Sequence, residues 1–348
     1  MVVVTRVSPP LAAAEVREAV PVPTPGRAGA LPPVARVLAQ RALQAVSVTL
    51  LVSTACFVIV RNLPGDLAFR IAAGRYGYDR VNTASAAAVR ADLGLDAPAW
   101  RQLTRWWADL VQFDLGTSLV TGNAVVHELR LPVVSSLQLA ATALALAVAV
   151  GTPVGAAAAW RPGGLLDRMT TLWVAVARSM PPFLLGLLLI MLFSVHLGWL
   201  PAVGHGSTAN VVLPAATLAV GLSGLFARVT RDTVVELRRS GFVAFAETKG
   251  LRGRAVLVRH VLRNAGVTLV AYVGVQALVL IEGVVVVETL FAWPGLGHAL
   301  VHAIFWRDVP VIQAAAVALA LLVVLMNTVV DVTGLALDPR PRRRQVVS

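Results

Sequence analysis

Sulfur and charge are both scarce in this sequence. One cysteine, Cys56, stands among 348 residues, which excludes an intrachain disulfide and a cysteine-based metal cluster. Charged side chains make up 14% of the chain against 57% apolar ones, and mean hydropathy is +0.76, far outside the range of a water-soluble domain. No glycine cluster is followed by Lys and Ser or Thr, so the chain lacks a loop that would cradle the phosphates of ATP. The Gly-rich string Pro294 to Gly297 contains no Lys and reads as a turn between helices. Of the six histidines (His127, His196, His205, His260, His298 and His302), only His298 and His302 are one helical turn apart, and a shared helix face accounts for that spacing better than a metal site. No nucleic-acid-binding module is visible. The 30 basic residues outnumber 18 acidic ones, and in so apolar a chain this excess points to membrane orientation and anionic lipid.

What the chain has in abundance is long apolar runs. A helix rises about 1.5 Å per residue and must cross roughly 30 Å of hydrocarbon, so runs of about 20 apolar residues are the units to count. Six are found, at residues 37–60, 132–159, 169–196, 210–229, 267–290 and 311–336. The predicted fold class is therefore an all-α integral membrane protein with six transmembrane helices. Residues 1–35 read as a flexible cytoplasmic tail broken by Pro9, Pro10, Pro21, Pro23, Pro25, Pro32 and Pro33, too long and too Pro-rich for an ordinary signal peptide. The string Val52 to Cys56 is faintly similar to a lipoprotein processing site, but the chain beyond it is itself membrane-embedded and that reading is rejected.

Lys and Arg in short loops mark the cytoplasmic side. Arg36 and Arg41 flank the first run, Arg161 and Arg168 lie between the second and third, and Arg340, Arg342, Arg343 and Arg344 follow the sixth. Both termini are accordingly expected inside. The expected organisation is a first transmembrane helix at 36–61, an extracytoplasmic segment at 62–130, a core of five transmembrane helices at 131–338 with a basic cytoplasmic loop at 231–265, and a basic tail at 339–348. In that loop, apolar clusters (Phe242, Val243, Phe245, Ala246, then Val256, Leu257, Val261, Leu262) recur at helical spacing among Lys249, Arg252, Arg254, Arg259 and Arg263. The break at Gly250 divides it into two short amphipathic helices on the membrane surface.

The same loop carries a resemblance. Phe242, Val243, Ala246, Lys249, Gly250 and Leu251, then Arg259, His260, Leu262, Arg263, Asn264 and Ala265, match the cytoplasmic loop of permease subunits in the dipeptide/oligopeptide/nickel branch of ATP-binding-cassette importers. Leu63 to Asp66 (LPGD), Leu93 to Gln102, Phe113 to Ser118 (FDLGTS), Leu197 to Pro201 (LGWLP), Val287 to Gly297 (VETLFAWPGLG) and Asn327 to Arg340 resemble further pieces of that branch. The resemblance implies a type I importer permease fold and a non-catalytic role as half of a pathway for dipeptides or oligopeptides, with glutathione or nickel chelates as alternatives. It also implies a second homologous permease, two ATPase subunits that carry the ATP and Mg, and an extracytoplasmic substrate-binding protein. This chain would bind no cofactor itself. The residues implied in ATPase coupling are Phe242, Val243, Ala246, Glu247, Lys249, Gly250, Leu251 and Arg252.

Polar residues within the apolar runs are candidates for the translocation pathway: Glu282, Gln276, Gln138 and Asn327. For Glu282 an internal partner, such as Arg178 in the third run or a hydroxyl on a neighbouring helix, is the favoured role. Glu288, Asp331 and Arg228 lie near run ends, where snorkelling or interfacial pairing suffices. Two other classes compete. Gly221 to Gly224 (GLSG) resembles the nucleophile motif of rhomboid intramembrane serine proteases, but the sixth run holds no His to accept a serine proton, and small-residue helix packing accounts for it better. An ion-coupled carrier would show internal repeats, and none is apparent.

Overall fold

The computed structural model describes residues 33–93, 98–112, 114–249, 256 and 261–337. Among these the chain is helical with no strand, apart from one isolated antiparallel bridge between Thr117 and Ala124. The long helices are α1 (Pro33–Asn62), α5 (Val125–Ala158), α8 (Thr208–Arg238), α10 (Leu262–Leu290) and α12 (Val309–Leu337). Each is long and apolar enough to cross a bilayer. Between them lie α2 (Leu67–Tyr76), α3 (Thr83–Asp92), α4 (Ala99–Val111), α6 (Leu165–Ser179), α7 (Pro182–Leu189, continuing as a π-helix through His196), α9 (Gly241–Thr248) and α11 (Leu296–Trp306).

The third apolar run departs from expectation. Residues 169–196 do not form one straight helix: α6 and α7 meet at an angle of 103°, so the sixth span exists only as a broken one. The cause is local. Pro181 disfavours the α conformation at Met180, which is extended (φ −101°, ψ 125°), and neither Pro181 nor Pro182 has an N–H to continue the ladder.

The centre of the fold is the contact of α5 with α8. Leu139, Ala143, Ala147, Gly151, Gly155 and Ala158 form a buried stripe repeating every three to four residues along α5. Its small members let the backbones approach closely: a Cβ on Gly151 would stand 2.3 Å from the Ser223 carbonyl oxygen, and one on Gly155 2.2 Å from that of Ala227. Around this contact Leu213, Leu222 and Phe226 of α8 pack with Leu280, Val284 and Val287 of α10. A second cluster joins α1 to α12 and α11 through Val60, Ile312, Ala315, Leu296 and Ala303. Asp331 on α12 pairs with Arg41 on α1 at 2.6 Å, the interfacial partner its position near a helix end called for.

The short helices between α1 and α5 are fastened to the bundle at one turn. Arg307, in the left-handed conformation (φ 55°), donates to the carbonyls of Leu63, Pro64 and Gly65. Asp308 accepts from the Ser118 hydroxyl and the Leu119 N–H. Burial pushes the Asp308 carboxyl above its ordinary value, partly offset by those donors. At the entry to α2, burial works against ionisation of Asp66, yet the Ala68 N–H and the Arg90 guanidinium outweigh it and hold that carboxyl below the usual range.

Candidate coupling face and transport pathway

The last turns of α8 carry the chain past the α5 contact and, after a turn at Ser240, into α9. Val243 N–H and Ala244 N–H both donate to the Ser240 carbonyl, which fixes how α9 leaves α8. The two faces of α9 then differ. Val243 is 5% exposed and packs with Ala159, Val234, Val256, Val261 and Ala265, with Ala246 against the same cluster. Phe245 is 60% exposed, and the Lys249 ammonium sits 4.6 Å from the centre of its ring. Of the residues expected to mediate coupling, Gly250, Leu251 and Arg252 lie outside the described residues, as do the side chains of Phe242 and Glu247. Phe245 was legible only as one member of an apolar cluster; nothing in the sequence marked it as the outward one.

The expected pathway residues are not gathered into one site. Gln138 on α5 is exposed, Gln276 on α10 is buried with its Oε1 unpartnered, and Asn327 on α12 donates to the Val323 carbonyl of its own helix. The Glu282 side chain lies outside the described atoms, although its neighbours Leu280 and Gly283 line a cavity of about 230 Å³. That cavity sits between the α6–α7 bend, the middle of α8 and the middle of α10, bounded by Arg178, Pro182, Thr217, Leu222 and Val279. A second cavity of about 330 Å³ continues along α6 and α8 past Asp167, Arg228, Arg231 and Asp232.

Two sites escaped the sequence. Glu288, expected to snorkel or pair at an interface, is 0% exposed. It accepts from the Ser136 hydroxyl at 2.5 Å and from the Gly297 N–H at 2.8 Å, while Leu296 N–H donates to Ser136 Oγ at 2.8 Å. The carboxylate thus clasps the Trp293–Gly297 turn onto α5, and snorkelling is unnecessary because every bond is internal. The other is the Arg307–Asp308 turn, whose partners lie some 190 to 240 positions away in sequence. The GLSG string is a contact surface: the Ser223 hydroxyl donates to the Val220 carbonyl of its own helix, and Gly224 faces Val174 of α6.

His298 and His302 stack edge to face on α11 with ring centres 4.5 Å apart, and no group of three metal-binding side chains occurs among the described residues. Burial, and then the neighbouring His302, push the His298 imidazole below its ordinary value. A depressed folded-state pKa means that stability present above the unfolded value is lost as pH falls through the folded one. Thermal midpoints in detergent should therefore drop between about pH 7 and pH 5, and a His298→Gln variant should lose part of that dependence. Identical pH profiles for the two proteins would refute this.

Residues 151–343 match the family model described as the binding-protein-dependent transport system inner membrane component. The chain belongs to this family. The permease is 38% identical over 304 residues to the glutathione transport system permease protein GsiC of Pectobacterium atrosepticum, with 87% of this chain and 97% of that protein covered. The protein of the same name from Salmonella typhimurium shows the same identity and coverage. A probable peptide ABC transporter permease protein, y4tP of Sinorhizobium fredii, is 34% identical over 311 residues, covering 87% of this chain and 98% of its own. The expected all-α permease of the peptide/nickel importer family, crossing the membrane several times, is thus what the helices and the relatives show.

Proposed function

We propose that this permease is one of two related membrane subunits of an ATP-driven importer for small peptides, a class that includes glutathione. The single observation that carries the reading is α9: a short helix that follows α8 after the turn at Ser240, with an aromatic ring held outward by a basic neighbour while the other face is anchored in the chain's own core. A partner groove would receive Phe245 as an apolar anchor and Lys249 as an orienting charge. Phe242, Glu247, Gly250, Leu251 and Arg252 complete the proposed docking loop. On this reading the chain catalyses nothing. Two cytoplasmic ATPase subunits hold the ATP and Mg, and a substrate-binding protein delivers cargo to the opposite face. Both termini and α9 then lie in the cytoplasm, with residues 62–130 outside.

The mechanics follow from packing. Closure of the ATPases would displace α9, the displacement would pass through the Ser240 turn into α8, and α5 would follow because its backbone is in contact with that of α8. The α8–α5 pair would then rock against the α1–α12 pair, opening the cavities between α6, α8 and α10 to one side or the other.

The test is a pair of substitutions in the complete transporter. Phe245→Asp should leave assembled complex at normal abundance but lower peptide uptake by on the order of tenfold, because an interface anchor is lost. Val243→Asp should instead lower the amount of folded protein, because it buries a charge in the chain's own core. Normal uptake by assembled Phe245→Asp transporter would refute the coupling role of α9.

A further inference from the structure

Among its described side chains, the groove along α6 and α8 carries one more positive charge than negative. Arg178 lines both cavities described above, at the point where they meet. The larger cavity holds three arginines, Arg178, Arg228 and Arg231, against two carboxylates, Asp167 and Asp232. Arg231 engages both: its Nε and Nη2 donate to Asp167 at 2.9 and 2.8 Å, and its Nη1 donates to Asp232 at 2.9 Å. Arg228 reaches only Asp232, at 3.9 Å, in an exposed pair of little strength. Arg178 makes no hydrogen bond or ion pair among the described residues. Among the described side chains three cations stand against two anions, and the cation with no bonded partner there is Arg178.

The surroundings sharpen the point. Gly224 and Val174 bring α8 and α6 together one turn away, and the smaller cavity is otherwise walled by Leu185, Leu218, Leu222 and Val279. Arg178 is exposed in the last turn of α6, so its guanidinium is open to a ligand entering either cavity. Its planar fork matches a carboxylate through two parallel bonds, and apolar neighbours strengthen them.

We propose that Arg178 binds a carboxylate of the passing cargo, so that the pathway selects small peptides carrying a free carboxyl group. The proposal rests on the importer reading above. Among the described side chains of the smaller cavity the carboxylate would meet one cation and no competing anion. Moving into the larger one, it would meet Arg228 as a second cation while Asp167 and Asp232 remain occupied by Arg231.

The test uses the complete transporter with its ATPases and binding protein in liposomes, with trialanine and trialanine amide as probes. Arg178→Gln should assemble at wild-type yield yet import trialanine about ten- to a hundredfold more slowly, the range expected for a lost charge-assisted hydrogen bond. Arg178→Lys should recover part of that rate, and import of the amide should not fall with either variant. Wild-type trialanine import by Arg178→Gln would overturn the proposal. So would an equal fall for acid and amide, which assigns Arg178 to gating, or failure of both variants to assemble, which assigns it to pairing with the second permease. If the wild-type transporter imports neither trialanine nor glutathione, the importer reading itself fails before any variant is made, and the proposal falls with it.

Discussion

Cells producing Gly155→Leu should contain little folded permease. The side chain would start 2.2 Å from the Ala227 carbonyl oxygen and 2.8 Å from its carbon, and both are backbone atoms of a long helix that cannot swing aside. Accommodation therefore requires α5 and α8 to separate, and the stripe from Leu139 to Ala158 loses contact along its length. Overpacking of a core site costs about 1–3 kcal/mol and sometimes more. Here the upper end applies, because no rotamer relieves a clash with backbone. The internal control is Gly266→Ala on α10, where a Cβ meets nothing within 4 Å; relief of glycine's conformational freedom should leave that variant neutral or about 0.5–1 kcal/mol more stable. Size-exclusion profiles and thermal midpoints in detergent measure both, and equal midpoints would mean that α5 and α8 are not in backbone contact.

Glu288→Ala should be nearly as damaging for a different reason. Removing the carboxylate strands the Ser136 hydroxyl and the Gly297 N–H, both buried, at about 1–3 kcal/mol each. The Trp293–Gly297 turn would lose its tie to α5, and the indole N–H bond from Trp293 to the Ser135 carbonyl would be exposed to the same loosening. Gly295→Ala should reproduce the defect with Glu288 itself unchanged, since the new Cβ would lie 2.0 Å from Glu288 Oε1 and push the carboxylate off its donors. A Glu288→Gln variant keeps one acceptor and should fall between wild type and Glu288→Ala. If Glu288→Ala matches the wild-type thermal midpoint, the buried clasp carries no weight.

Much of this architecture is a one-dimensional property of the chain. The five unbroken spans were legible because crossing hydrocarbon demands a length of apolar helix, and α1, α5, α8, α10 and α12 each cover, to within one residue, the run that announced them. Their ends were less legible, since α8 continues to Arg238 where water no longer sets the limit and packing does. The broken third span was missed although Pro181 and Pro182 were in plain view, because a count of apolar residues carries no information about backbone direction. The α9 loop was recognisable from its pattern, yet Val243 and Phe245 are both apolar, and only the position of Ala159, Val234 and Val261 decides which of them turns inward. Glu288, Arg307 and Asp308 were opaque for a related reason: their partners are far away in sequence, and a buried polar residue is intelligible only with its donors and acceptors beside it.

The kink between α6 and α7 has one more effect on chemistry. In an unbroken helix the carbonyls of Ala177 and Arg178 would receive the amide protons of residues 181 and 182; both of those are imino acids and have none to give. Two lone-pair-bearing oxygens thereby lose their helical donors at the rim of a largely apolar chamber. They belong to the main chain, so altering the Arg178 side chain leaves them in place, and on the reading proposed for Arg178 a peptide whose acid end meets that guanidinium would find acceptors for its own N–H groups beside it.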